Sequence, residues 1–145
     1  MKILIAIDDS KFSQEALRAV IRQFRPEGVQ LLVLHILQPI SLSAVPQMAT
    51  QYAPELEAQG KEARELVERA AGTLRAAGFK VETNVDKGDI RMKIIDTAAE
   101  WKADLVVLGS HGRAGLPRLL LGSVAEFVAR HAPCSVEIVR GLAAG

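Results

Sequence analysis

The residues with the greatest chemical capacity in this sequence lie in one stretch, Gly109-Ser110-His111-Gly112-Arg113, followed further on by Gly122-Ser123-Val124. Glycines let backbone N–H groups converge on an anion, because they allow close approach and positive φ values that other residues resist. Ser123 and Glu126 have capping-box spacing, so a helix is expected to start at Ser123 and to reach about His131 before Pro133. A helix N-terminus adds unsatisfied N–H groups and the positive end of a dipole. The combination predicts an anion cradle, with Arg113 and Arg118 in the connecting loop as movable positive charge. A plain turn and N-cap is the competing explanation of Gly122 and Ser123, and the glycine spacing outweighs it.

Two common phosphate loops are excluded. G-x4-G-K-[S/T] is absent, G-x-G-x-x-G is absent, and the turn Asp8-Asp9-Ser10-Lys11 after the first apolar run contains no glycine. Asp8 reads equally as a ligand or as a cap and turn residue, whereas Asp9 and Ser10 read as caps. His35, His111 and His131 share no metal-ligand spacing, so no metal site is expected from them. His35 reads as a satisfied strand residue and His111 as one that orients phosphate. Cys134 is the only cysteine and reads as a small packing thiol. Trp101 and Tyr52 are too few for a nucleic-acid stacking platform.

These residues must be positioned by elements that the periodicity makes plain. Short apolar runs occur at Ile3 to Ile7, Leu31 to Leu37, Leu105 to Leu108 and Val136 to Val139, Ile/Val/Leu-rich as strands covered on both faces are. Phe79 to Val85 instead alternates apolar and polar residues, which predicts an edge strand with one wet face. Helical stripes lie between the runs. The first carries Ala16, Leu17, Val20, Ile21 and Phe24 before Pro26; the second runs from about Glu55 to Ala77 with Leu66, Val67, Ala70 and Leu74 inward and Gly78 as its stop; the third follows Gly88-Asp89 with Ile90, Ile94, Ile95 and Ala98.

Strands and helices in strict alternation predict an α/β fold. It is a single doubly wound five-stranded parallel sheet with helices on both faces, in one domain over residues 1–145. Ligands of such sheets bind beyond the carboxyl ends of the strands, at the point where strand order reverses, so chemistry is expected just after Ile7, Leu37, Val85 and Leu108. The segment Gln38 to Ala53, with Pro39 and Pro46 and no clear period, is long for a compact domain and reads as either a functional or a mobile loop, its role unassigned.

Composition narrows the classes further. With 18 Lys+Arg against 17 Asp+Glu, the chain lacks the basic surplus of a phosphate-neutralising domain, so no nucleic-acid partner is expected. No stretch approaches the roughly 20 apolar residues of a membrane span, so no membrane partner is expected either. A lone cysteine suits a reducing, cytoplasmic setting.

The glycine loop and its flanks resemble the universal stress protein family over nearly the whole chain. The family signature G-x2-G-x9-G-[S/T] is met by Gly109, Gly112, Gly122 and Ser123; Ala103 to Gly109, Leu119 to Val124 and His131-Ala132-Pro133-Cys134 extend the likeness. Ile5 to Ser10 and Leu34-His35-Ile36 are similar to the family's first strand and turn and its second strand end. The resemblance implies strand order 3-2-1-4-5 and an ATP-binding member, with ADP or AMP as other ligands and Mg2+ arriving with the nucleotide. It assigns Asp8 to the ribose or the metal and phosphate side and Ala6 to the wall beside it. Ile36 and Leu108 go to the adenine; Gly109, His111, Gly112 and Arg113 wrap the phosphates from one side. Gly122, Ser123 and Val124 close the other side through N–H groups and the Ser123 hydroxyl. It also implies a homodimer through Val136 to Val139, an unidentified protein partner, and a regulatory stress-response role with at most slow hydrolysis or self-phosphorylation.

No nucleophile with a positioned base is visible, so the chain is not read as an enzyme. A nucleotide-hydrolysing or nucleotide-transferring enzyme on the same fold is the alternative. A phosphoacceptor receiver domain fits Asp8, Asp9 and Ser110, but its fifth strand should end in Lys and here ends in Arg140-Gly141.

Overall fold

The computed structural model describes residues 1–38, 53–111 and 121–141. Their elements alternate as expected: β1 (Lys2–Ala6), α1 (Lys11–Gln23), β2 (Gln30–Leu37), α2 (Ala53–Ala76), β3 (Lys80–Lys87), α3 (Ile90–Trp101), β4 (Leu105–Gly109), α4 (Ser123–His131) and β5 (Ser135–Val139). All strand pairs are parallel, in the order β3-β2-β1-β4-β5. The chain builds one half of the sheet through β2 and β3 and then returns to the other side of β1. β1 and β4 therefore lie side by side, with Ala6 opposite Leu108. Their chains diverge beyond that pair, β1 into α1 on one face and β4 toward α4 on the other.

The period-2 geometry of strands divides the core in two. Ile3, Ile5, Leu31, Val33, Leu105 and Val107 pack under α1 and α2, against Ala16, Leu17, Val20, Leu66, Val67, Ala70 and Leu74. Leu4, Leu32, Leu34, Ile36, Val106 and Leu108 pack under α3 and α4, against Ile94, Ala98, Ala125 and Val128. Strands buried on both faces cannot alternate, which is why β1, β2 and β4 read as continuous apolar runs. β3 has a single neighbour, and its Val81, Thr83 and Val85 are half-buried while Lys80, Glu82 and Asn84 are exposed. Among the described residues no helix is long and apolar enough to cross a membrane.

Element ends differ from the sequence expectation by a few residues, each for a local reason. β3 runs to Lys87 because β2 runs to Leu37 and the two pair there. Phe79 stands before the strand and is buried against the α1/α2 core. Its N–H reaches Leu74 O at 3.1 Å while the Gly78 N–H reaches Arg75 O at 2.9 Å. These two bonds make a Schellman end for α2, with Gly78 in its positive-φ position at +99°. Phe24 is the C-cap of α1 rather than part of its helical stripe.

At Gly78 a Cβ would lie 3.2 Å from Pro26 Cγ, on a backbone that L residues resist. Gly78→Ala is expected to lower unfolding free energy by about 1–2 kcal/mol. Urea denaturation with an unchanged m-value would check this.

Candidate functional site

The divergence of β1 and β4 opens a cavity of about 950 Å³ above the carboxyl edge of the sheet. Strand ends form its floor: Ala6, Ile7 and Asp8 after β1, Leu34 to Gln38 from β2, and Leu108 to His111 after β4. Gly122 to Ala125 at the start of α4 form one wall, with Ile90 and Ile94 of α3 beside them. The opposite wall is α2, through Gln59, Glu62, Ala63, Glu65, Leu66 and Arg69. Three of the four expected strand ends thus converge. The fourth, at Val85, does not, because β3 is the outer strand and borders a separate groove with α2.

The turn after β1 is held by its own side chains. Asp8 Oδ1 accepts from Ser10 N at 2.8 Å and from Ser13 Oγ at 2.9 Å, while the Asp8 N–H donates to Ser13 Oγ at 2.8 Å. Ser10 is the N-cap of α1, as its position suggested, accepting from Ser13 N at 3.4 Å. Asp8 is therefore a turn residue through Oδ1, and it also lines the cavity.

Beyond Ala6 the β1–β2 ladder stops one rung early. Ile7 N donates to Leu34 O at 2.9 Å and Gly88 N to Leu37 O at 3.0 Å, so the even-numbered residues of β2 point their amides toward β1. Ile36 points its N–H and C=O the same way, past the last residue of β1. The rung that would follow, Ile36 N to Ile7 O, is not made; His35 Nδ1 lies 2.7 Å from that carbonyl instead. Ile36 is 6% exposed and its outward amide has no hydrogen-bond partner among the described residues. Buried backbone groups are almost always paired, so this amide is an exception at the cavity wall.

The opposite end of the cavity offers donors. Gly122, extended at φ −63° and ψ 156°, is the N-cap of α4, and its carbonyl accepts from Glu126 N at 3.0 Å. Its own N–H is spent on Ser110 O at 2.8 Å. The N–H groups of Ser123, Val124 and Ala125 precede the first intrahelical bond and remain for an anion. His111 is 8% exposed, with Nδ1 3.0 Å from Ser110 Oγ and its ring 5.1 Å from that of Phe12. Its Nε2 is buried with no hydrogen-bond partner among the described residues.

A sheet end with two unfilled sets of polar groups invites comparison with known proteins. The model of the universal stress protein family matches residues 1–140. The chain belongs to the universal stress protein family. A universal stress protein of Synechocystis is 36% identical over 149 residues, spanning 96% of this chain and 97% of its own. The solved structure of hypothetical protein MJ0577 superposes with a TM-score of 0.84 at 26% identity, covering 99% of this chain and 97% of that one. The universal stress protein of Archaeoglobus fulgidus in complex with dAMP gives a TM-score of 0.68 at 25% identity, with 96% and 97% covered.

Of the residues the family signature singles out, Ala6, Asp8, Ile36, Leu108, Gly109, His111, Gly122, Ser123 and Val124 all line this one cavity. Gly112 and Arg113, with Arg118, lie outside the described residues, as does the loop from Pro39 to Tyr52. Two local expectations are corrected. The capping box at Ser123 does not form: the bond from Gly122 to Ser110 places Gly122 at the N-cap, Ser123 becomes the first helical residue, and Glu126 pairs with Arg130 at 2.9 Å. Nor does positive φ explain the described glycines of the signature, since neither Gly109 nor Gly122 has one. Gly109 is required by space. A Cβ there would stand 2.7 Å from Phe12 Cβ and 2.9 Å from Phe12 O, so glycine lets the start of α1 settle on the end of β4.

The α2 wall was missed in the sequence, although its signal was present. The inward stripe at Leu66 and Ala70 continues backward at helical spacing through Glu62 and Gln59, where polar residues stand because the helix rises past the sheet edge. Cys134 is half-buried; burial, and then the Asp104 carboxylate, push its thiol up from its ordinary value, as befits a packing role.

Gly109→Ala forces backbone to move rather than a flexible side chain. It is expected to cost about 1–3 kcal/mol of stability, measured by chemical denaturation.

Proposed function

We propose that the cavity binds an adenine nucleotide, ATP in its physiological form, and that the protein is a small single-domain regulatory module whose state reports that nucleotide. The observation that carries this reading is the pairing of unfilled groups at the two ends of one cavity. At one end Ile36 offers an N–H beside a C=O, between the apolar side chains of Ile36 and Leu108 and next to Ala6. Adenine presents the complementary acceptor N1 beside the donor N6 amine, whereas guanine presents a donor beside an acceptor in the same places. At the other end the free N–H groups of α4, the Ser123 hydroxyl and the buried His111 Nε2 suit phosphate oxygens. The family resemblance assigns Gly112 and Arg113, which lie outside the described residues, to the same phosphates. The dAMP complex of the Archaeoglobus fulgidus relative supports the ligand class.

Asp8, which lines the cavity with Oδ1 engaged in the turn, has its second carboxylate oxygen to offer the sugar or a metal in this reading. That suits Mg2+, which is held largely by phosphates and water and needs only one or two protein carboxylates. The Asp8 carboxylate is anchored by two hydrogen bonds to the turn. Binding, with at most slow hydrolysis or self-phosphorylation, is the chemistry this supports. Calorimetric titration of nucleotide-stripped protein is expected to give saturable binding of ATP. Mispairing the buried Ile36 amide is expected to weaken GTP by about 1–3 kcal/mol, roughly fivefold to 150-fold. No binding of any adenine nucleotide to folded protein would overturn the reading.

We further propose a homodimer through β5. Ser110 N donates to Val139 O, so Val139 and Glu137 face β4 and the amides of Val136 and Ile138 point outward from the sheet edge. An open edge of this kind is a template for pairing with another chain. A cytoplasmic location belongs to the same reading, with Cys134 as a lone thiol. Val136→Pro removes one outward N–H and leaves the β4 ladder donors in place. Light scattering is expected to show a dimer for the parent and a monomer for the variant, with the far-ultraviolet spectrum retained.

A further inference from the structure

The open amide of Ile36 lies opposite an acceptor that another donor holds. Ile7 O is the natural partner of Ile36 N–H in a parallel ladder, since Ile7 N already donates to Leu34 O at 2.9 Å. A carbonyl only accepts, so the 2.7 Å contact to His35 means that Nδ1 carries the hydrogen. Two donors from adjacent residues of β2 thus lie beside one oxygen, and only the imidazole bonds to it. We propose that His35 is a positioning residue that keeps the β1–β2 ladder one rung short and so holds the Ile36 amide open to the ligand. This rests on the reading of the cavity as an adenine site and deepens it by naming what keeps the base-reading edge available.

The surroundings favour such a role. Ile7 is buried, so its carbonyl must find a donor if the imidazole is taken away. The nearest backbone donor in register is Ile36 N–H, and taking it would lengthen the ladder and close the ligand edge. The Asp8–Ser13 hydrogen bonds draw the chain off into α1 but leave Ile7 O itself to His35. Removing the imidazole then exchanges one hydrogen bond of the free protein for another. Its signature is a loss of ligand affinity with fold and stability largely kept.

The test compares His35→Phe and His35→Leu, which lack the donor, with His35→Asn, whose side-chain amide N–H can stand where Nδ1–H stands. Two apolar variants are used so that one that fails to fold leaves the other. In nucleotide-free protein, amide hydrogen exchange by NMR is expected to slow at Ile36 by at least tenfold in the apolar variants and to stay within threefold of the parent in His35→Asn. AMP affinity by calorimetry is expected to fall at least tenfold in the apolar variants and to be restored by Asn. Unchanged Ile36 exchange in a folded apolar variant overturns the proposal. So does a His35→Asn variant that keeps parental Ile36 exchange yet binds AMP as weakly as His35→Phe, which would assign the imidazole to direct contact with the ligand. If the parent binds no adenine nucleotide, the adenine reading fails by itself, and the exchange data on free protein still decide whether His35 holds the rung open.

Discussion

The ligand end of this protein depends on where β1 stops making hydrogen bonds. A parallel sheet needs crossovers, and a sheet wound in both directions has one place where adjacent strands send their chains to opposite faces. Here that place lies between β1 and β4, just past the Ala6–Leu108 pair. Polar backbone groups at such a break cannot all be satisfied by the ladder. Some are recruited by side chains, as Ile7 O is by His35 and Asp8 N by Ser13. The Ile36 amide is not, and the cavity forms around it.

The glycines show how one residue type serves different physical needs. Gly78 supplies a positive φ for the end of α2. Gly109 supplies the missing Cβ that lets α1 approach β4 at the distance of backbone contact. Gly122 has a conformation open to any residue, and its N–H ties the start of α4 to Ser110 beside the His111 ring. The α4 end of the cavity is consequently assembled from fixed backbone dipoles on regular elements, which in the proposed role would cost little reorganisation. This suits a chain whose charges nearly cancel, with 18 basic and 17 acidic residues.

Much of this arrangement was legible in the sequence because it depends on local patterns. Burial on both faces wrote itself into Ile3 to Ile7 and Leu105 to Leu108, burial on one face into the alternation after Phe79, and helix ends into Ser10, Asp89 and Gly78. The spacing of Gly109, Gly112, Gly122 and Ser123 identified the family that the whole-chain comparison then confirmed. Composition and periodicity therefore determined the fold class, and the strand ends determined where a site would lie.

Tertiary structure decided what each group at that site is free to do. Whether Ser123 caps its helix depended on a bond between Gly122 and Ser110 that spans the β4–α4 connection. Asp8 is held in the turn through Oδ1 while its residue also lines the cavity, which the sequence alone could not combine. Ile36 would be apolar and buried under any reading, and His35 looked like a satisfied strand residue. The meaning of both lies in which way a backbone amide points and which donor reaches Ile7 O first. Side-chain pattern records burial, which is a property of position in the chain; hydrogen-bond direction at the end of a ladder is a property of strand register, and register exists only once the strands have paired.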